Sequence, residues 1–282
     1  MAFLMKQVEK LWIFLLLFLA VSGVSCSGWL GGAVSSNYLF VHFINVGYGD
    51  SIFVEFPDGE NMLIDGGDRE AGVKVVDYLK AKKIKRLDLV IVTHPHPDHI
   101  EGLFSVIRKY EINSIIANEN ISESKNYASF FEIVKEQEIE FKQAKRGDII
   151  NRFKEVEVEI LHPDKLTGNL NNDSLVVKLT YKKVSFLFAA DIGQEICDGL
   201  AEHYKERLKS TAVKVPHHGK NGGGKFIRKV LPEVAVVSVG SSIWGGPSEE
   251  VLAEYRDLKI PLLRTDVKGA IVIKTDGEKI WF

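Results

Sequence analysis

The densest group of metal-binding residue types in this sequence is the heptapeptide THPHPDH, at Thr93–His99. It holds three of the chain's eight histidines and follows the apolar run LDLVIV. A chain that leaves a strand in an extended path alternates its side chains, so His94 and His96 point the same way, and the two prolines stiffen that path. Asp98 and His99 then open a helix and face elsewhere. The spacing predicts two clusters, suited to two metal ions a few ångströms apart.

Further ligand types follow two other apolar runs. His217 and His218 come after AVKVP, and Asp191 ends VSFLFAAD. Loops at strand ends are held by a rigid scaffold and commonly carry functional side chains. We expect Asp191 to bridge two metals, and we favour His217 over His218 as the ligand because it lies nearer the strand end. Imidazole and carboxylate ligands suit zinc, iron or manganese.

Two aspartates are candidates for holding a ligand histidine in place by a hydrogen bond. Asp65 follows the run NMLI and precedes Gly66 and Gly67, and Asp50 lies in the turn GYGD. For Asp65 the alternative is an ordinary turn aspartate beside two glycines. His42 alternates with apolar residues in FVHF and is expected to be structural.

The elements that must position these residues fall into two similar groups. Apolar and polar residues alternate in YLFVHFINV and SIFVEF, and the strands NMLI, LDLVIV and INSIIA follow, with helices among them. One helix is predicted over 73–84, with Val73, Val76 and Leu79 on its inner face. The second half has the strands VEVEILHP, SLVVKLTYKKVSFLFAAD, TAVKVP and VAVVSVG, again with helices. Two facing sheets with helices outside, a four-layer αββα sandwich, bury these elements economically.

The sandwich is predicted to span residues 38–282 as one domain, behind a linker at 28–37 and an N-terminal segment at 1–27. That segment has lysines in MAFLMKQVEK, the apolar run LWIFLLLFLAVS, and small residues around Cys26. This order is typical of a secretory signal, and an uncleaved membrane anchor is the alternative. Acylation of Cys26 would make the protein a lipoprotein. We expect an exported protein, either extracellular or held at the membrane and facing outside.

The charge balance gives no sign of a polyanion-binding protein. With a net charge of −2, a nucleic-acid partner would need a local basic patch. A candidate patch, alternatively a solvated helix start, follows the HHG loop and consists of Lys220, Lys225, Arg228 and Lys229. Cys197 stands alone if Cys26 is lost with the signal, so no disulfide is expected.

Together the motifs resemble those of the metallo-β-lactamase superfamily over essentially the whole chain after the N-terminal segment. VTHPHPDHIEG is similar to its HxHxDH signature, Asp191 to its bridging aspartate, and His217-His218 to its last ligand motif. FINVGYGDSIFVEF, NNDSLVVKL and VKVPHHG further resemble the hydrolase domains of ComEC-like DNA-uptake proteins. The resemblance implies a hydrolase with two divalent metal ions, zinc or manganese, acting on phosphodiester bonds of nucleic acid such as DNA.

The sequence departs from this pattern in the run LNNDS. Members of the superfamily often have a histidine there, upstream of the bridging aspartate. One ion is therefore expected to bind more weakly, or to use Asn171, Asn172, Asp173 or water. His162 is an alternative ligand, although we favour a structural role for it.

For the reaction, Asp98 is expected to serve as ligand and as proton acceptor. Lys220, or whichever of His217 and His218 is not a ligand, would neutralise phosphate or protonate the leaving oxygen. Lys220 stands where ComEC-like chains usually have serine, and Gly246 where they often have histidine. Contacts with the substrate are expected to differ accordingly.

Two other classes of function stay open on sequence grounds. One is a metallo-hydrolase of another ester, a thioester or a β-lactam, using the same ligands. The other is an exported module that binds metal or DNA without catalysis, which the asparagines at 171–172 would suit. The sequence predicts no particular oligomeric state.

Overall fold

A computed structural model of the chain describes residues 37–118, 125–240 and 246–282. They all belong to one compact unit, Ser35–Phe282. The predicted signal or anchor at 1–27, with Cys26, and the linker up to residue 36 lie outside these ranges. Within them, no helix is both long enough and apolar enough to cross a bilayer.

The first sheet has eight strands, which we number along the chain. In spatial order they are β17 (Ile280–Trp281), β16 (Ile271–Thr275), β1 (Leu39–Phe43), β2 (Ile52–Glu55), β3 (Asn61–Ile64), β5 (Leu89–Val92), β7 (Ser114–Ala117) and β8 (Glu140–Gln143). Neighbours from β17 to β3 pair antiparallel. Neighbours from β3 to β8 pair parallel.

The second sheet has seven strands and repeats this arrangement. In spatial order they are β15 (Leu262–Arg264), β14 (Val234–Val237), β13 (Ala212–Lys214), β12 (Val184–Phe188), β11 (Val176–Tyr181), β10 (Val156–His162) and β9 (Ile149–Ile150). The strands β9 to β12 pair antiparallel, and β12 to β15 pair parallel. A separate two-stranded sheet joins β4 (Arg86–Leu87) and β6 (Glu111–Ile112).

Helices connect the parallel strands. The described α-helices are α1 (Ala71–Ala81), α2 (Pro97–Ile100), α3 (Leu103–Ile107), α4 (Lys125–Glu136), α5 (Gln194–Tyr204), α6 (Gly224–Val230), α7 (Glu249–Asp257) and α8 (Thr265–Lys268). Short 3₁₀ turns lie at Lys205–Leu208 and Pro216–Gly219. The second of these turns carries the two adjacent histidines.

Three hydrophobic clusters mark three interfaces between four layers. The central cluster takes residues from both sheets, such as Val41 and Phe186, and fills the space between them. A second cluster joins the first sheet to α1, α3 and α4, and a third joins the second sheet to α5, α6 and α7. Alternation along the strands assigns each residue to a face, so Val234 is central while Ala235 lies on the helix side. The predicted αββα sandwich is confirmed.

The inner face of α1 differs from the prediction. Val73 is 60% exposed, and the buried stripe instead runs through Gly72, Val75 and Leu79. The reason is a close approach at the start of the helix. A Cβ on Gly72 would lie 2.7 Å from the carbonyl oxygen of Gly102, so the helix is turned to bring that glycine inward.

Candidate metal centre

The candidate residues lie at the carboxyl ends of strands in both sheets. In the first sheet Asp65 follows β3, and the histidine turn follows β5. In the second sheet Asp191 follows β12, and the two adjacent histidines follow β13. All four strands belong to the parallel parts of their sheets, where binding sites of α/β folds gather. The loops from the two halves meet, because Asp98, His99, Asp191 and His218 form one group of side chains.

Close backbone contacts fix the histidine turn in place. Gly49 has φ +110°, and a Cβ there would lie 2.1 Å from the carbonyl oxygen of Asp98. The Gly66 N–H donates to the carbonyl of His99 at 2.8 Å. A Cβ on Gly102 would lie 1.9 Å from the Gly66 carbonyl oxygen. Side chains larger than hydrogen would push these loops apart, so the glycines around the turn are required by packing.

Backbone conformation is unusual at four of these loop positions. The φ angles are +57° at Asp65, +43° at Ala190, +52° at His217 and +54° at His218. A non-glycine residue in this region costs on the order of 1–3 kcal/mol and persists only where its surroundings hold it. Such strain gathers at functional sites, and here it directs side chains toward one point.

The four-residue group has the spacing of a metal site. Nε2 of His218 lies 3.2 Å from Oδ2 of Asp191 and 3.3 Å from Oδ2 of Asp98. Nε2 of His99 lies 3.4 Å from the same Asp191 oxygen and 3.8 Å from the Asp98 oxygen. Ligands about 2.1 Å from a tetrahedral ion are roughly 3.4 Å apart from one another. The four atoms are therefore placed as ligands around a common centre.

The hydrogen bonding of the two imidazoles supports the same conclusion. Nε2 of His99 and Nε2 of His218 are buried and make no aligned hydrogen bond within the described residues. Their other ring nitrogens are held, His99 Nδ1 by Asp65 at 2.8 Å and His218 Nδ1 by the Ser238 carbonyl at 3.1 Å. A metal-binding histidine characteristically has its second nitrogen fixed in this way. The group fits a divalent metal ion on geometry and on donor chemistry.

Asp65 is the most heavily bonded of the supporting residues. Besides His99, its carboxylate accepts from the Thr93 N–H at 2.9 Å and from the Thr93 hydroxyl at 2.6 Å. The structure therefore places it where the sequence predicted, against a candidate ligand histidine. Asp50, the other predicted supporting residue, lies 3.7 Å from His218 Nδ1 and has its close ion pair with Lys214 instead.

Lys214 is a site residue that the sequence reasoning missed. Its side chain is fully buried, and its ammonium contacts Asp50, Oδ1 of Asp191 at 3.3 Å and the Ala190 carbonyl at 2.8 Å. One oxygen of Asp191 is thus held by this lysine, and the other faces the imidazoles. A signal was present, because a lysine inside the apolar strand AVKV has nowhere to reach solvent and needs a buried carboxylate.

The two carboxylates of the group favour positive charge on its imidazoles or on a bound cation. Burial disfavours charge, yet Asp191 and Asp98 raise the pKa of His218 to about 9, and raise that of His99 well above its ordinary value. Burial is likewise outweighed for Asp191, whose pKa His218, His99 and Lys214 hold well below its usual range. Without an ion, protons on imidazole balance the carboxylates. A bound divalent cation would supply the positive charge in place of these protons, and the imidazoles would then be neutral ligands.

His94 and His96 lie beside this group as a separate pair. Nε2 of His94 is 3.1 Å from Nδ1 of His96, and the His94 and His99 ring centroids are 4.1 Å apart. Burial, with the charge of His99, holds the pKa of His94 well below its ordinary value, so its imidazole is neutral. No third carboxylate, histidine or cysteine joins the pair among the residues that the structure describes. The predicted division into two clusters is therefore present, but the two are unequal.

Comparison with known proteins identifies the family of the chain. Residues 44–240 match the family model of the metallo-β-lactamase superfamily. The chain belongs to that superfamily. Membership supports a metal-dependent hydrolase, and the fold implies divalent metal ions at these strand ends.

Individual relatives place the chain more closely. ComE operon protein 3 of Bacillus subtilis (strain 168) is 28% identical over 252 residues, covering 82% of this chain and 32% of that protein. Competence protein ComA of Neisseria gonorrhoeae is 27% identical over 245 residues, covering 85% and 33%. The predicted resemblance to ComEC-like proteins is confirmed, although this chain spans about a third of the length of these relatives.

Among solved structures, zinc-bound PqqB from Methylobacterium extorquens has a similar fold. Its TM-score is 0.56 at 8% sequence identity, and the match covers 83% of this chain and 99% of that one. At this identity the likeness concerns the fold alone. It agrees with the metallo-β-lactamase sandwich seen here.

The run NNDS, where many superfamily members have a histidine, lies between the histidine turn and the loop of Asp191. The Leu175 N–H donates to the Thr93 carbonyl at 2.9 Å, and the Gly193 N–H donates to Oδ1 of Asn172 at 3.0 Å. The amide oxygen of Asn171 is buried without a hydrogen-bond partner in the described residues. The hydroxyl of Ser174 is buried in the same way, so within this run Asn171 and Ser174 each have a polar group left for a metal or a substrate.

Two of the other candidates near this run already have structural partners. Asp173 accepts hydrogen bonds from the Thr167 N–H and hydroxyl and from the Gly168 N–H, at 2.6 to 3.0 Å. His162 Nε2 lies 2.6 Å from the Asn172 carbonyl, and burial lowers the pKa of this histidine. Both residues hold the loop in shape, which agrees with the structural role favoured for His162.

The two adjacent histidines have different surroundings, and they reverse the order that the sequence suggested. His218 is buried within the four-residue group, whereas His217 is partly exposed and its Nε2 is 3.9 Å from Asp191. We favoured His217 from its nearness to the strand end. The left-handed backbone of both residues turns His218 inward instead, and His217 Nδ1 contacts the Asn221 amide at 3.2 Å.

Lys220 lies at the mouth of the site with an aromatic neighbour. Its ammonium donates to the Tyr48 hydroxyl at 3.2 Å, and the Tyr48 ring centroid is 4.6 Å from that of His218. The rest of the predicted basic patch, Lys225, Arg228 and Lys229, lies in α6, where Lys225 pairs with Glu202 and Lys229 with Glu206. Those pairs favour the solvated-helix alternative for the patch beyond Lys220.

Proposed function

We propose that this protein is a ComEC-like, metal-dependent phosphodiesterase that cleaves DNA outside the cytoplasm. The observation that carries the proposal is the buried group of two carboxylates and two imidazoles at strand ends. It occurs in a chain that matches competence proteins over more than four-fifths of its length. The proposal includes export, with the N-terminal segment as a cleaved signal, as a retained anchor, or as the signal of a lipoprotein acylated at Cys26.

We assign the ligands in two sets. Asp98, His99, Asp191 and His218 would hold one ion tightly. His94 and His96, with Asp191 shared and Asn171 or water completing the shell, would hold a second, weaker ion. Zinc or manganese suits these donors. When bound, such ions lower the pKa of water and stabilise negative charge on phosphate oxygens.

The protein's own residues would bind and orient the phosphodiester. Lys220 brings a positive charge to the mouth of the site, where a phosphate oxygen would replace the Tyr48 hydroxyl as its partner. Burial and the carboxylates of Asp98, Asp191 and Asp50 raise the pKa of Tyr48, so its phenol stays protonated and can donate a hydrogen bond. The Lys220 ammonium and the Tyr48 hydroxyl are donors that suit a negatively charged substrate better than a neutral ester or a lactam.

Proton transfer to the leaving oxygen is assigned to His217. Its imidazole is partly exposed beside the four-residue group, and burial lowers its pKa. Its partial exposure allows proton exchange with solvent, and the lowered pKa makes its protonated form a stronger acid toward the leaving oxygen. Asn221 fixes the ring through Nδ1, which leaves Nε2 directed to the site.

The full chain, loaded in turn with zinc and manganese, should be incubated with single- and double-stranded DNA and with bis-p-nitrophenyl phosphate, nitrocefin and an acyl-thioester. Cleavage of DNA and of the model diester, absent in Asp191→Asn, is the expected result. Turnover of the lactam or the thioester alone would overturn the phosphodiesterase assignment. Metal binding and DNA retention without any turnover would favour the non-catalytic module.

Lys220→Ser provides a finer test of how the substrate is held. Removing the charge should raise KM for the model diester about tenfold with kcat little changed, because one charge-assisted contact is lost. Lys225→Ser, which removes a lysine already paired with Glu202, is the matched control and should leave KM unchanged. Equal effects of the two substitutions would remove Lys220 from the site.

A further inference from the structure

One exposed face of the first sheet is lined by aromatic residues and lysine. Phe40 on β1 lies opposite Lys274 on β16, and Lys274 lies opposite Trp281 on β17. Residues paired across neighbouring strands project from the same face. Tyr38, two residues before Phe40, shares that face, and its ring centroid is 6.2 Å from that of Trp281. We call these four residues the aromatic face.

The helix layer stops short of the aromatic face. The helix layer reaches β1 at His42, whose Nδ1 lies 2.9 Å from the Tyr78 hydroxyl of α1, but within the described residues its hydrophobic cluster takes no side chain from β1, β16 or β17. Tyr38 and Trp281 are 37% and 40% exposed. Large aromatic side chains exposed side by side are uncommon on a soluble surface and indicate a binding surface.

Lysines accompany the rings. The Lys274 ammonium lies 3.5 Å from the ring centroid of Tyr38 and 5.7 Å from that of Trp281. Lys279 lies 5.0 Å from the centroid of Trp281. Tryptophan and tyrosine with lysine are the residues that settle at the boundary between lipid headgroups and acyl chains. Their cations also match anionic headgroups.

The position of the aromatic face along the chain selects the partner. Tyr38 follows the linker at 28–37, and 15 residues separate it from the apolar run that ends at Ser22. Such a stretch reaches at most about 50 Å, so a run held in a bilayer keeps the face within reach of the lipid surface. A weak contact between the aromatic face and lipid is then sufficient for docking, because the tether makes the contact intramolecular.

We propose that the aromatic face is a membrane-contact surface that docks the domain on anionic lipid headgroups. The inference rests on the proposed function in its form with the N-terminal segment retained as an anchor. It also constrains the position of the metal centre. Tyr38 precedes the start of β1, and the metal centre lies beyond its end, about 17 Å further along a five-residue strand. Docking through the aromatic face would therefore leave the metal centre about one strand length to the side of the lipid contact and not beneath it.

The test uses the full chain reconstituted in vesicles of phosphatidylcholine with a minority of phosphatidylglycerol. Fluorescence of the wild type minus that of Trp281→Phe isolates the emission of Trp281. Lipids brominated near the headgroup should quench most of this difference, and acrylamide should quench little of it. Undiminished emission in brominated vesicles, with free access of acrylamide, would overturn the proposal.

Two comparisons distinguish membrane docking from a nucleic-acid contact and from general attraction of lysines to the vesicle. Lys274→Glu should restore most of the Trp281 emission, whereas Lys142→Glu, an exposed lysine on β8 at the far edge of the sheet, should not. Equal behaviour of the two would count against docking. Quenching of Trp281 by oligothymidylate in metal-free detergent solution would instead show a nucleic-acid surface and overturn the membrane assignment. DNA cleavage is scored separately, so a chain that cleaves nothing but docks through Trp281 contradicts only the proposed function.

Discussion

The histidine turn contains two pairs of candidate ligands that lie next to each other in the chain and yet have different surroundings. Asp98 and His99 meet Asp191 and His218 from the second sheet, with ligand atoms 3.2 to 3.8 Å apart. His94 and His96 contact each other, and the other contacts described for His94 are with Thr93 and His99 of the same turn. One pair is completed by the other half of the molecule, and one is not.

The difference shows that the number of ligands around a metal motif depends on the loops that face it. On the complete side, Asp65, Ser238 and Lys214 hold the ligands at their second atoms. On the incomplete side, the facing loop is NNDS, whose Asn172 and Asp173 are already used within the loop and with its neighbours. The inequality between the sites thus comes from residues remote in sequence from the turn.

The largest effect is expected from Lys214→Met. It removes a buried cation and leaves Asp50 and Asp191 uncompensated, which typically costs about 3–5 kcal/mol. Urea denaturation of the metal-free chain measures the loss in the free energy of unfolding. Lys183→Met, on a surface lysine paired with Glu278, is the control and should change it by less than about 1 kcal/mol. An unchanged free energy of unfolding for Lys214→Met would show that this lysine does not compensate the charges of Asp50 and Asp191.

His218→Ala tests which adjacent histidine completes the four-residue group. Removing a ligand should weaken the tight ion more than about 100-fold, since even outer hydrogen-bond partners of ligands contribute 10- to 100-fold. His217→Ala should leave that affinity nearly intact. Competition with a chelator of known affinity measures both. A larger loss in His217→Ala would restore the order expected from sequence alone.

Asn171→His should strengthen binding of the second ion, the one assigned to His94 and His96. The substitution supplies an imidazole at the position whose amide oxygen lacks a partner among the described residues, so the second ion should bind roughly tenfold or more tightly. Isothermal titration with zinc separates the two binding steps. Asn172→His is the matched control, because Asn172 already bonds to Gly193. If both variants behave as the wild type, the weaker ion does not use this loop.

The last test concerns pH and distinguishes the metal-free from the loaded chain. The folded pKa of His218, about 9, is above its ordinary value, so this group stabilises the metal-free fold fully below about pH 6.5. That stability is lost as pH rises through about 9. Urea midpoints in EDTA should fall over this range, while those of the zinc-loaded chain should not. A rising midpoint in EDTA would contradict the charge pattern described for the group.

The four-layer sandwich and the loops that carry the candidate ligands could be predicted from the sequence, because both depend on local residue patterns. Alternating runs such as SIFVEF predict strands, and the turn THPHPDH predicts a metal site from spacing alone. The family follows from the same motifs. These features need no knowledge of which segments meet in three dimensions.

What the sequence did not predict depends on contacts between distant segments. The inward rotation of His218 follows from left-handed backbone angles, and the outward position of Val73 follows from the approach of Gly72 to Gly102. The role of Lys214 required knowing that Asp50 and Asp191 face it. Short strands such as β4, β6 and β9 have two residues each, too few to show a period.

The four-residue group draws equally on the two halves of the chain, and this affects how the protein matures. During synthesis the histidine turn emerges well before His218, so a growing chain cannot assemble the tight site. A chain that crosses a membrane unfolded would likewise carry no ion with it. Its metal would be taken up only after both sheets have folded outside, and the identity of that metal would reflect what the external medium supplies.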